Sequence, residues 1–312
     1  MSEQPPNWER SVLEKLALSA IQEQRRTRHW GILFKTLTFL YLFIVLFLVA
    51  GWFGSDSVSI KKHTVLVDLQ GVISSDQASA DSVIASLQGA FDDKKTKGVI
   101  LRINSPGGSP VQAGQIYDEI KRLRAKHPEI PLYAVVDDIC ASGGYYVAAG
   151  ADKIFVDKAS LVGSIGVLMD GFGFTQTMDK LGVERRLLTA GENKGFLDPF
   201  SPVDLKQQAF AKQMLEEIHG QFIAVVRQGR GKRLKETPEM FSGLVWSGEK
   251  SIQLGLADGL GSVESVARDV IKVEDIVDYT QQEGLAERLA GRFGASVAKA
   301  WTPFDKTGVS LR

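Results

Sequence analysis

The sequence predicts an α/β fold behind a single apolar anchor, and three observations carry that prediction. From Thr64 onward, strand-length apolar runs alternate with helix-length amphipathic runs. Twice a glycine turn follows a strand and opens a helix. Ahead of this lies an almost wholly apolar stretch, residues 31–53, interrupted by one charge at Lys35.

The anchor comes first in the chain. At ~1.5 Å per residue, residues 31–53 reach about 34 Å, enough for a hydrocarbon core ~30 Å thick. Arg25, Arg26 and Arg28 precede the span, and nothing comparably basic follows at once, Lys61 and Lys62 coming several residues later. The positive-inside rule then places residues 1–30 in the cytoplasm and everything beyond the span on the far side. Trp30 and Trp52 bracket the segment at interfacial depth. The stretch is too long, and its polar lead too extended, for a cleaved signal peptide, so an uncleaved anchor is expected, with a polar stalk at 54–63.

The elements beyond the stalk follow in order. Val65–Leu69 reads as a first strand closing at Gly71. Gln77–Asp92 reads as a helix with Val83, Ile84 and Leu87 on one face, and Gly98–Ile103 as a second strand. After the turn Ser105–Gly108 comes a helix over Pro110–Lys126, with proline in its first turn and Ile116, Ile120 and Leu123 sharing a face. Leu132–Val136 is a third strand, Gly143–Ala149 a helix of small residues, and Lys153–Val156 and Ser164–Met169 further strands. A long amphipathic helix is expected over Val203–Gln228, burying Leu205, Phe210, Met214, Ile218, Phe222 and Val225 as core or subunit contact. In the last stretch, 276–312, Leu285, Leu289, Phe293, Val297 and Trp301 form a stripe read as an amphipathic tail.

Lys+Arg and Asp+Glu both number 37 in the 312 residues, so no electrostatic footprint argues for nucleic acid as a partner. The single cysteine, Cys140, excludes an internal disulfide and a multi-cysteine metal site, and is read as a small buried hydrophobe. No cofactor or metal is expected.

In a parallel sheet, the groups at the carboxyl ends of neighbouring strands converge, so the two glycine turns should line one crevice. One contains Asn104-Ser105-Pro106-Gly107-Gly108, the other Ala141-Ser142-Gly143-Gly144. A serine hydroxyl needs a base, and the oxyanion it generates needs unobstructed backbone N–H donors. Gly143, after the serine, and Gly108, in the other turn, are the expected donors. The four histidines, His29, His63, His127 and His219, stand in contexts that do not suggest the base, which turns attention to lysine. A lysine sheltered from water can give up its proton and accept one from serine. Lys194 lies in a glycine-rich loop between Glu192 and Asp198, with Phe196 and Phe200 close by, though the residues alone do not single it out from other loop lysines. Ser164, in Val162-Gly163-Ser164-Ile165-Gly166, can hydrogen-bond such an amine, and read alone is a turn serine.

At Ile103–Gly108, at Ala141-Ser142-Gly143-Gly144-Tyr145-Tyr146 with Ala148–Ile154, and at Gly163-Ser164-Ile165-Gly166-Val167, the chain resembles the signal peptide peptidase A family. The resemblance covers roughly Thr64 to Val270 and implies a Clp/crotonase-like fold of repeated ββα units, with a peptidase domain over 64–275. It implies Ser142 as nucleophile, Lys194 as general base, Ser164 as the group that orients the lysine, and Gly108 with Gly143 as the oxyanion hole. One catalytic half implies the short form, whose relatives build dome-shaped rings, here expected to be octamers, with serine and lysine supplied by neighbouring subunits. Cleaved signal peptides are the implied substrates. The implied place is the bacterial inner membrane, with the catalytic domain on the periplasmic side. Two other readings share these residues: a crotonase-like acyl-CoA enzyme, whose fold also holds an oxyanion between two glycine amides, and a non-catalytic membrane scaffold.

Overall fold

The computed structural model describes residues 8–49 and 61–281, which fall into two units. The first is a single helix, α1 (Trp8–Val49), whose 42 residues extend about 63 Å. No proline interrupts it, and it passes through residue 30 without a break, so the described parts of the expected cytoplasmic segment and apolar span, residues 8–49, are one rod. Thr27, Thr36 and Thr38 each donate their hydroxyl to the carbonyl one turn earlier, which satisfies the two inside the apolar span, Thr36 and Thr38, without water. Among the described residues, α1 is the one helix long and apolar enough to cross a membrane. Residues 50–53 of the expected span, most of the stalk, and the tail stripe from Leu285 lie outside the described residues.

The second unit is built on a sheet whose strands are β1 (His63–Gln70), β2 (Thr96–Ser105), β3 (Leu132–Ala141), β4 (Lys153–Val156), β5 (Leu161–Gly163), β6 (Val245–Ser247), β7 (Gly259–Leu260) and β8 (Ile276–Asp278). Its main path runs β6-β5-β3-β2-β1-β8, while β4 pairs with β3 and β7 with β4. All pairs are parallel except β5 with β6. The connections are α2 (Ala80–Asp92), α3 (Pro110–Lys126), α4 (Gly143–Ala148), α5 (Thr175–Leu181), α6 (Leu205–Arg230) and α7 (Gly248–Gln253).

The alternation of the strands explains why both faces of the sheet are covered. Val65, Val67, Leu69, Val99, Leu101, Ile103, Ala134 and Val136 point into a core shared with α2, α3 and α4. Their neighbours Leu66, Ile100 and Val135 point the other way, against Phe155, Val263, Val266 and Ala267. Near-continuous apolar strands of this kind belong to a parallel sheet buried on two sides.

β3 has two partners on one flank. Its first half pairs with β4, and its end, Ile139–Ala141, pairs with β5. Between them the register against β2 slips, Ile103 facing Val136 but Ser105 facing Cys140, and the extra residues carry exposed Asp137 and Asp138. This bulge sends the last residues of β3 toward the glycine turns.

Three expectations need correction. The strand expected over Ser164–Met169 is absent: β5 ends at Gly163, because Ser164 takes φ 51° and a left-handed residue cannot extend a strand. On α6, Phe222 is buried but Leu205 and Phe210 are 77% and 62% exposed, so its first half does not pack on this core. The domain boundary at 275 falls short, since β8 pairs with β1 and Gln281 N–H donates to Ser86 Oγ at 2.9 Å. Residues 276–281 therefore belong to the sheet domain and not to a tail.

Candidate active site

Ser142 occupies the sharp joint between β3 and α4, at φ 51° and ψ −124°. A residue with a side chain is strained there by about 1–3 kcal/mol, and persists only where its surroundings dictate the conformation. Two backbone bonds do so: Ser142 N–H donates to Gly163 O at 2.9 Å, and Tyr146 N–H donates to Ser142 O at 3.0 Å. α4 itself is fixed by the fully buried Tyr145, whose hydroxyl donates to Leu256 O at 2.8 Å. Tyr146 meets Tyr117 edge-on at 5.5 Å and packs 5.2 Å from Phe222 of α6. Ser142 remains partly exposed at the mouth of this frame.

The other glycine turn closes on it. Ile73 N–H donates to Gly107 O and Ser109 N–H to Ile73 O, both at 2.8 Å, which holds Gly108 in a bridge with Ile73. A Cβ on Gly107, at φ 100°, would lie 2.7 Å from both Gly143 N and Ser142 Cβ, so only glycine allows the two turns to touch. Gly108 N lies 3.3 Å from where a Cβ on Gly143 would stand. Among the described residues, neither the Gly108 nor the Gly143 amide donates to a protein acceptor. The arrangement is a strained serine with two uncommitted N–H groups beside it, which suits attack on a carbonyl and stabilisation of the resulting oxyanion.

Ser164 stands one residue past the register pair Ala141↔Gly163, which makes it the neighbour of Ser142 across the β3–β5 ladder. It too is left-handed, and its N–H donates to Leu244 O at 2.8 Å. Lys194 is elsewhere on the surface. It is exposed, and among the described residues no bond or ion pair joins it to Ser142 or Ser164. The aromatic residues expected to shelter it have other partners: Phe196 meets Phe210 edge-on at 5.8 Å, and Phe200 stacks on Phe174 at 5.4 Å. Asp198 accepts from Ser201 Oγ at 2.6 Å and pairs with Arg185 at 3.2 Å.

No histidine bonds to Ser142 among the described residues. His63 is buried beside Asp93, His127 faces Glu129, and His219 reaches the Ile165 carbonyl at 3.1 Å. Cys140 is fully buried, and burial pushes its thiol above the usual range, which removes it as a nucleophile. Sequence reasoning missed Ile73, which pins the Gly107–Gly108 turn, and Trp246, which packs on Gly163. It also passed over His219, for which adjacency to the apolar face at Ile218 and Phe222 was the available signal.

Behind α4 lies an ion-pair cluster. Arg230, 1% exposed, pairs with Asp258 at 2.8 Å and donates to Gly255 O, and Arg233 pairs with the same carboxylate at 3.1 Å. Burial works against the Asp258 carboxylate, but its bonds from Arg230 and the Ile154 amide hold it below the ordinary carboxylate range.

Comparison with known proteins places these residues within a wider group. The profile of peptidase family S49 matches residues 124–276, and that of Clp protease residues 58–159. A Brucella melitensis protein named Na(+)/H(+) antiporter NhaA is 45% identical over 190 residues, 61% of this chain and 26% of that one, so the chain spans about a quarter of that relative's length. A Methanocaldococcus jannaschii protein named as a protease is 31% identical over 228 residues, 72% of this chain and 71% of its own. Protease 4 of Haemophilus influenzae is 28% identical over 237 residues, covering 74% and 38%.

Proposed function

This chain belongs to peptidase family S49, and we propose that it is a membrane-anchored serine endopeptidase cutting extended peptides, remnant signal peptides among them, through an acyl-enzyme on Ser142. The observation that carries the reading is the strained Ser142 joint touching the Gly107–Gly108 turn, with two N–H groups left over. Ser142 Oγ attacks the peptide carbonyl and passes its proton to the amine of Lys194. Gly108 and Gly143 N–H groups hold the oxyanion, worth about 3 kcal/mol per donor. Collapse of the tetrahedral intermediate expels the amine product, which takes the proton from Lys194. Water, deprotonated by the same lysine, then releases the acyl group. Ser164, beside Ser142, orients the lysine.

The base is supplied in trans, as the partner subunit's Lys194. Two facts support this: Lys194 is exposed and unconnected to Ser142 within one chain, and the surrounding segment exposes Leu168, Phe172, Leu188 and Val203 at 79%, 78%, 96% and 71%. Apolar exposure on this scale marks a surface awaiting a partner. A closed ring, an octamer in this reading, buries it on every subunit. α1 anchors each subunit in the bacterial inner membrane, with Arg25, Arg26 and Arg28 on the cytoplasmic side and the sheet domain in the periplasm.

Subunit mixing tests the proposal. Ser142→Ala and Lys194→Ala chains, each inactive alone, are co-assembled and assayed on a fluorogenic peptide. Sharing across subunits restores activity at about a quarter of the sites under random mixing. Failure to regain activity in verified mixed oligomers would remove the shared dyad, and fluorophosphonate labelling that survives Ser142→Ala would remove the nucleophile.

A further inference from the structure

We infer that His219 is a positioning residue for peptide hydrolysis: its bond to the Ile165 carbonyl holds the turn that presents Ser164 beside Ser142. The inference rests on the roles proposed above for these two serines.

The turn Gly163–Gly166 is held unevenly. On the β6 side it has a backbone bond, Ser164 N–H to Leu244 O at 2.8 Å, and the indole of Trp246, whose Cδ1 lies 3.0 Å from where a Cβ on Gly163 would stand. Within the turn, Gly166 N–H donates to Ser164 O at 2.9 Å. Beyond it the chain enters no regular element until Thr175. Ser164 therefore sits in a left-handed conformation that its own side chain disfavours, followed by Ile165, whose side chain is buried in the core, and only then by a long irregular stretch. Beside the apolar anchor of the Ile165 side chain, His219 supplies a polar brace. Its Nε2 lies 3.1 Å from Ile165 O, and because a carbonyl only accepts, Nε2 carries the hydrogen. Among the described residues, this is the one side-chain hydrogen bond made to the turn.

The same helix face reaches the other serine. Phe222, one turn after His219 on α6, is 4% exposed and packs 5.2 Å from Tyr146 of α4, whose N–H donates to Ser142 O at 3.0 Å. One stripe of α6 thus bears on Ser142 through an aromatic contact and on Ser164 through a hydrogen bond. The mutual placement of the two hydroxyls depends on where α6 lies, and His219 is the polar half of that dependence.

The test uses the full chain in detergent, comparing wild type with His219→Ala and His219→Gln. Glutamine places an amide N–H near the Nε2 position and preserves the donor. His219→Ala is expected to lower kcat about five- to tenfold with KM unchanged, as suits loss of one part-buried hydrogen bond that aligns a reacting group, and His219→Gln to recover most of it. Oligomer size and melting temperature are read alongside. Wild-type kcat in His219→Ala would overturn the inference. So would glutamine being as impaired as alanine while folded and assembled, or an effect confined to KM. Ser142→Ala separates the two levels: an active Ser142→Ala chain removes the underlying reading, whereas an inactive one with a fully active His219→Ala removes only the role of His219.

Discussion

Gly107→Ala is a demanding perturbation of the site, because the added methyl meets backbone and the Ser142 Cβ and not the far end of a yielding side chain. At φ 100° the alanine is strained on its own account by about 1–3 kcal/mol. Its Cβ would also stand 2.7 Å from Gly143 N, 2.7 Å from Ser142 Cβ and 2.9 Å from Ala141 O, inside the limits of any real contact. The two turns must then part, which carries the Gly143 amide and the Ser142 hydroxyl away from the Gly108 amide. Losing one oxyanion donor costs about 3 kcal/mol, a fall in kcat on the order of a hundred- to a thousandfold. Steady-state hydrolysis of a fluorogenic peptide, with the rate of fluorophosphonate labelling and a thermal melt, separates this from unfolding. The reasoning fails if a folded Gly107→Ala chain keeps kcat/KM within about threefold of wild type.

Three further outcomes follow from the same geometry. Gly114→Ala, in the interior of α3 with nothing within 4 Å of the new methyl, should stabilise the domain by about 0.5–1 kcal/mol without altering activity, read from denaturant melts. Because the folded-state pKa of Asp258 lies below its unfolded value, its pairing contributes stability that is complete above the ordinary carboxylate range and is lost as pH falls through the lowered value. Melts from pH 6 to pH 3 should therefore show a loss that is smaller in Asp258→Asn, which starts less stable; parallel curves would remove this account. Cys140, fully buried with its thiol pushed up, should resist Ellman's reagent in the native chain and react at once in guanidinium. Rapid native labelling would contradict the packing of β3.

Much of the frame was legible because its elements are periodic. Val65–Leu69, Gly98–Ile103 and Leu132–Val136 are strand-length apolar runs set between amphipathic helices, and β1, β2 and β3 contain them, extended at their ends by pairing that composition does not report. Both glycine turns meet as expected, since convergence at strand ends follows from a parallel sheet. Ser164 was harder: an apolar run after a glycine reads as strand, and only the Leu244 carbonyl, far along the chain, shows that it turns. The burial expected for Leu205 and Phe210 is missing for a different reason. Apolar spacing tells which face needs cover, and cannot tell whether the cover is the same chain. Lys194 illustrates the same limit, since its position next to Ser142, or apart from it, is a property of tertiary and quaternary arrangement.

β5 and β6 are three residues each, a small patch of ladder beside the long β1–β2–β3 centre, yet Ser142 leans on Gly163 and Ser164 leans on Leu244. Such short pairings open at far lower free energy than the middle of a sheet. Mild warming or dilute urea should then abolish the proposed activity while circular dichroism still reports an intact body. Under the proposed function, the cutting edge is thereby the fuse of the machine, expected to dissolve before the frame.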